Sequence, residues 1–137
     1  MDNCIFCKIV SGDIPSSVVY EDEDFKAIMD ISPASRGHVI ILSKKHFDDI
    51  YELDDYVAGR VLIVARRIAI AMREELNCEG INFLQNNGEV AGQSVFHIHF
   101  HLIPRYKDDN VQMKWTPGKY EDGGALELSK QIAIRIK

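Results

Sequence analysis

Three of the chain's five histidines fall within one pentapeptide, His97-Ile98-His99-Phe100-His101. If this stretch is a strand, alternation puts the three imidazoles on one face and Phe96, Ile98, Phe100 and Leu102 on the other. An imidazole can serve as nucleophile, proton donor or metal ligand near neutral pH. A single metal ion cannot take all three rings. Alternate residues are ~6.6 Å apart along a strand, so the outer two Cα atoms are about 13 Å apart, whereas zinc–nitrogen bonds are only about 2.0–2.1 Å long. The three histidines must therefore serve different partners. A set of merely exposed or structural histidines is the rival reading, and it fits poorly with strict alternation directly after the Asn- and Gly-rich loop from Asn86 to Gly92.

A second constellation is Cys4-Ile5-Phe6-Cys7, whose Cys-x-x-Cys spacing is that of half a tetrahedral zinc site. His46 and His97 are candidates for the other half. A redox pair or two buried thiols are the alternatives, although no βαβ pattern surrounds the cysteines. Cys78, near a helix end, is structurally incidental.

These side chains need a scaffold. Cys4 to Val10 is apolar, reads as one or two helical turns, and stops at Ser11-Gly12-Asp13. Val18–Tyr20 and Phe25–Met29 read as short strands flanking an acidic turn, and Gly37–Leu42 reads as a central strand. Leu53, Val57, Val61, Ala65, Ile68, Met72 and Leu76 recur at steps of three or four, which predicts one long amphipathic helix. Asp54 and Asp55 suit its start, and Asn77 and Gly80 its end. Ile81–Gln85 and Val95–Ile103 follow as strands, the second ending at Pro104. Its apolar face should pack on the long helix. Trp115 to Gly118 reads as a loop, and Leu126–Ile136 as a C-terminal helix, although Ile132, Ile134 and Ile136 also alternate.

The chain has 137 residues, which suits one domain with a core that needs no disulfide staples. A net charge of −5 argues against coating a polyanion, so nucleic acid is not an expected partner. A small phosphorylated ligand needs only local donors and stays open. No apolar run is long enough to span a bilayer, and no secretory leader is recognised at Met1-Asp2-Asn3-Cys4. The expected setting is cytoplasmic, where cysteines serve as thiols or metal ligands.

His97-Ile98-His99-Phe100-His101-Leu102-Ile103 resembles the signature of the histidine triad (HIT) superfamily, in which three histidines alternate with apolar residues. The upstream Asp30-Ile31-Ser32-Pro33, Gly37-His38 and Lys44-Lys45-His46 resemble the same family, as does Asn86 with Gly92-Gln93-Ser94-Val95. The likeness covers roughly Cys4 to Arg105 and is greatest to small bacterial HIT proteins and the histidine-triad nucleotide-binding branch. Residues 106–137 are unmatched, within an expected single HIT domain over 1–137. The implied fold is α+β: an antiparallel sheet of about five strands with one long helix on one face.

The resemblance implies a nucleotide-binding hydrolase acting on the α-phosphate of purine nucleoside phosphoramidates through a nucleotidyl-histidine intermediate. It makes His99 the nucleophile, His101 the phosphate donor, Ser94 the leaving-group contact and His38 an extension of the hydrogen-bond chain. Asp30 matches the carboxylate that receives the ribose hydroxyls. Asn86, Gly92 and Gln93 match the phosphate and ribose side, and Phe6, Ile9 and Ile31 the apolar positions around the purine. It also implies a structural zinc on Cys4, Cys7, His46 and His97, no requirement for magnesium, and a homodimer. Hydrolysis of diadenosine polyphosphates, or nucleotide binding with weak catalysis in a regulatory module, are the alternative functions.

Overall fold

A computed structural model describes residues 3–137. The elements are α1 (Ile5–Ser11), β1 (Val18–Glu21), β2 (Phe25–Met29), β3 (Val39–Ser43), α2 (Asp55–Leu76), β4 (Gly80–Leu84), β5 (His99–Arg105) and α3 (Gly124–Ala133). The strands form one antiparallel sheet in the order β1-β2-β3-β5-β4. The α+β architecture, the five strands and the long helix agree with the expectation.

The long helix begins and ends where its chemistry says it should. Asp54 caps it by accepting from the Val57 amide, and Asn77 closes it in the left-handed conformation at φ 52°. Its stripe of Val57, Val61, Ala65, Ile68 and Met72, joined by Val64, buries against Phe25, Ala27, Val39, Ile41, Ile98, Phe100 and Leu102. Alternation sends the intervening residues through to the opposite face. There Ile28, Ile40 and Leu42 pack under Phe6 and Ile9 of α1. The sheet is thus covered by α2 on one side and by the small α1 on the other. Register places His101 opposite Ile40 and His99 opposite Leu42, so both rings emerge on the α1 side.

Both ends of β5 differ from the sequence reading. The strand begins at His99, not Val95, because β3 ends at Ser43 and offers nothing for residues 95–98 to pair with. That segment is held instead by the Ile98 amide donating to the Phe47 carbonyl at 2.7 Å. Phe96 consequently misses the core and is 48 % exposed. At the other end the strand runs through Pro104 instead of stopping there. The Pro104 carbonyl turns away from β4 to accept from Ser35 Oγ at 2.5 Å, on the side where pairing with β3 has already ended at Leu102. The missing N–H of proline is therefore not needed. The C-terminal helix forms as expected, shifted to Gly124–Ala133, and its residues are solvent-exposed along almost all of its length.

No helix among the described residues is long and apolar enough to cross a membrane.

Candidate active site

On the α1 side of the sheet lies a cavity of about 400 Å3. Phe6 and Ile9 form one wall, Asp30 and Ile31 another, and Ser94, His99 and His101 meet at its polar end. Seven of the expected ligand-side residues therefore converge. Ile31 sits at the rim, 96 % exposed. Gly92, Gln93 and Ser94 line an adjoining cavity with Glu89 and Phe96, so Ser94 borders both spaces. Asn86 lies beside Gly92 and does not line the main cavity. The Gln93 side chain is spent on the loop itself. Its amide nitrogen donates to the Asp48 and Val95 carbonyls, and its oxygen accepts from the Gly88 amide.

The protonation of each imidazole follows from its partners. His99 Nδ1 lies 2.8 Å from the main-chain oxygen of His97. A carbonyl only accepts, so Nδ1 carries the hydrogen and Nε2 keeps its lone pair. Burial lowers the pKa of His99, against the opposing pull of the His97 carbonyl and Asp30, which favours the neutral ring. His38 is fixed in the opposite sense. The Ala34 amide donates to its Nδ1 at 3.0 Å, leaving Nε2 to donate to His101 Nδ1 at 2.9 Å. His101 must then present Nε2–H as a free donor. Burial, followed by the nearby His99 and His38, holds the His101 pKa down to about 4. His38 is lowered by burial and pulled back by Asp30. One end of the cavity thus offers a bare nitrogen beside an N–H donor, an arrangement suited to attack on an electrophile whose oxygens are held nearby.

Asp30, His38 and His101 are close enough to suggest three metal ligands. The hydrogen bonds argue otherwise: Nδ1 of His38 is occupied by Ala34, and its Nε2 carries the relayed proton. This cluster works as a proton-ordered chain, with one Asp30 oxygen also accepting from the Ser32 amide.

Cys4, Cys7, His46 and His97 form a different kind of cluster. His97 donates from Nε2 to the Ser43 carbonyl at 2.6 Å, and His46 from Nε2 to Asp48 at 2.8 Å. Both Nδ1 lone pairs then face inward, 3.1 Å from each other, with the thiols 3.3–3.4 Å away. Two lone pairs at that separation, with two thiols beside them, make a donor set suited to a cation. Tetrahedral zinc would set donor–donor edges of roughly 3.3–3.8 Å, close to what is present. Burial, with help from Cys4, pushes the Cys7 thiol up to about 11, and a cation in the cluster would reverse this. The quartet can therefore hold a metal ion. Asp48 was not singled out from the sequence; its place two residues after His46 was the available signal. The fixing partners Ala34, Ser43 and His97 act through their main chains and leave no mark in residue type.

Comparison with known proteins agrees with this geometry. The family model described as HIT domain matches residues 11–108. The chain is similar to "Protein hit" of Bacillus subtilis, with 45% identity covering 98% of this chain and 95% of that protein. It is also similar to adenosine 5'-monophosphoramidase hnt1 of Schizosaccharomyces pombe, 35% identical over 98% and 99% of the two chains. A crystal structure of a HIT family member from Bacillus subtilis superposes with a TM-score of 0.94 at 44% identity, covering 98% of each chain. A zinc-bound histidine triad family protein from Mycobacterium smegmatis superposes at 0.77 with 37% identity, covering 98% and 99%. With its alternating histidines, its sheet and its cavity all in place, this chain belongs to the HIT family.

Proposed function

We propose that the protein hydrolyses purine nucleoside phosphoramidates, releasing the nucleoside monophosphate and an amine. The observation that carries this reading is the tautomer of His99, with Nδ1–H on the His97 carbonyl and Nε2 unprotonated in a ring lining the cavity. In the first step His99 Nε2 bonds to the α-phosphorus and the P–N bond to the leaving amine breaks. The His101 Nε2–H steadies the phosphate oxygens as charge builds, and the Ser94 hydroxyl supplies the proton that the amine takes away. In the second step water attacks phosphorus, the P–Nε2 bond breaks, and the proton from water restores Ser94. Asp30 is the acceptor for the ribose hydroxyls, and Phe6, Ile9 and Ile31 give the purine an apolar bed. The chemistry in the printed name of the Schizosaccharomyces pombe relative supports the substrate class.

A substrate panel tests the reading. Adenosine 5'-phosphoramidate should be cleaved at least about tenfold faster than diadenosine polyphosphates, and mass spectrometry of quenched protein should find a nucleotidyl adduct on His99. Faster cleavage of the dinucleotides would replace the substrate, and an adduct elsewhere would replace the nucleophile.

Zinc is the ion proposed for Cys4, Cys7, His46 and His97, in a structural role, since four protein ligands leave no open position. The free thiols suit a reducing cytoplasm. The chain is proposed to act as a homodimer. Leu62, Ile63 and Ile70 of α2, Phe83 of the edge strand β4, and Leu126 and Ile132 of α3 are exposed apolar residues that a partner copy could cover. Light scattering should give a mass near twice 15.6 kDa, and the mass of one chain would remove this part of the reading.

A further inference from the structure

The metal quartet and the cavity are joined by two physical routes. The first runs through the main chain: His97 supplies Nδ1 to the quartet, and its own carbonyl holds His99 Nδ1 at 2.8 Å. The second runs through α1. Cys4 and Cys7 bracket Phe6, and the Cys7 amide donates to Cys4 Sγ at 3.3 Å. The Phe6 ring meets His99 edge-on with centroids 4.8 Å apart, meets His97 at 6.0 Å, and forms part of the cavity wall. The far end of α1 has a separate tether, Lys26 Nζ donating to the Ile9 carbonyl at 2.9 Å. Its near end is held by Phe6 packed on the sheet and by the two thiols against His46 and His97.

From these contacts we infer that Cys4, Cys7 and His46 are positioning residues for the nucleophile, acting through the His97 carbonyl and the Phe6 ring, so that metal binding and mononucleotide binding tighten each other. The inference rests on the nucleotide reading of the cavity. With a cation in the quartet, the two facing Nδ1 lone pairs are held on one ion and the thiols pin α1. The wall and the nucleophile are then already ordered when the nucleotide arrives. Without the cation the same lone pairs repel, the near end of α1 loosens, and the nucleotide must order both routes as it binds. Linkage makes the effect reciprocal: whatever factor zinc adds to nucleotide affinity, the nucleotide adds to zinc affinity.

The test uses the zinc-loaded protein titrated with a competing chelator, with and without saturating AMP. AMP is expected to raise the apparent zinc affinity by at least about fivefold. Replacing zinc by cobalt(II) gives a second readout, because the visible ligand-field bands of a tetrahedral S2N2 ion should move when AMP binds several ångströms away. The cobalt bands are read on metal-loaded, folded protein throughout, so instability of the metal-free form does not enter that readout. A conservative His46→Cys variant, which keeps four donors, should retain the coupling, while His46→Ala should lose it. If AMP binds the loaded protein but leaves chelator competition and the cobalt bands unchanged, the coupling is wrong and the nucleotide reading stands. If AMP fails to bind the loaded protein, the nucleotide reading falls and the coupling with it.

Discussion

Replacing His99 by alanine is expected to slow turnover of adenosine 5'-phosphoramidate by at least about 10⁴-fold while weakening AMP binding by less than about tenfold. The asymmetry follows from the site. In the proposed mechanism His99 Nε2 bonds with phosphorus, an interaction that would exist in the transition state and the intermediate but not with a bound product. AMP would still find the Phe6 and Ile9 wall, Asp30, and the His101 donor held by His38. His101→Ala should act differently, costing roughly 10²–10³-fold in turnover because a charge-stabilising donor is lost while the nucleophile remains. Single-turnover kinetics beside calorimetric AMP binding would check both. Wild-type turnover in His99→Ala would remove the covalent route altogether.

The second large effect concerns the metal quartet. Cys7→Ser should bring zinc content from about one per chain to a small fraction, and lower stability by about 4 kcal/mol or more. For a chain of this size that is a melting-point drop of at least roughly 10 °C. The cost exceeds the loss of one bond. Cys7 touches both His46 and His97, and without an ion their Nδ1 lone pairs face each other at 3.1 Å in a half-buried setting. His97 is itself fully buried, so it cannot turn to solvent for relief. Cys78→Ser is the control: Cys78 is buried where Cys7 is half-buried, but it follows the end of α2, outside the quartet, and should shift the melting point far less. Equal destabilisation by the two variants, or full zinc content in Cys7→Ser, would refute the metal role.

Much of the scaffold can be read directly from residue order. The long helix carries its cap, its stripe and its stop in side-chain chemistry, and the structure repeats them almost residue for residue. The strands of the central sheet follow from alternation and β-branched runs. What alternation could not reveal is where pairing ends. Val95, Phe96 and His97 have the same pattern as the residues after them, yet β3 stops at Ser43, so Phe96 is left outside the core. Pro104 misled for the complementary reason: a proline breaks a ladder only on the side where its nitrogen would donate. At the site, the histidines and cysteines were legible because few other residues do their chemistry. Their tautomers were not, since those depend on which carbonyl or amide lies opposite each ring. The positions of Asn86 and Gln93 in the loop were equally hidden, because a glutamine that binds backbone groups looks the same in sequence as one that meets a ligand. The C-terminal stretch was hardest to interpret. Its apolar residues remain on the surface, so the usual link between apolar pattern and burial has no purchase there.

The three imidazoles His38, His97 and His99 share one further property: each is set in its tautomer by a main-chain group, from Ala34, Ser43 and His97 itself. Main-chain groups persist through side-chain replacement. Which nitrogen of each ring keeps its lone pair is thus recorded in the course of the backbone, and point substitution at Ala34 or Ser43 leaves that backbone group in place. A change of chain length, such as one residue inserted between His97 and His99, would carry the His97 carbonyl out of reach of the His99 ring and release its two nitrogens to exchange roles. In this fold the two-residue step from His97 to His99 is what decides which nitrogen of the His99 ring is left bare.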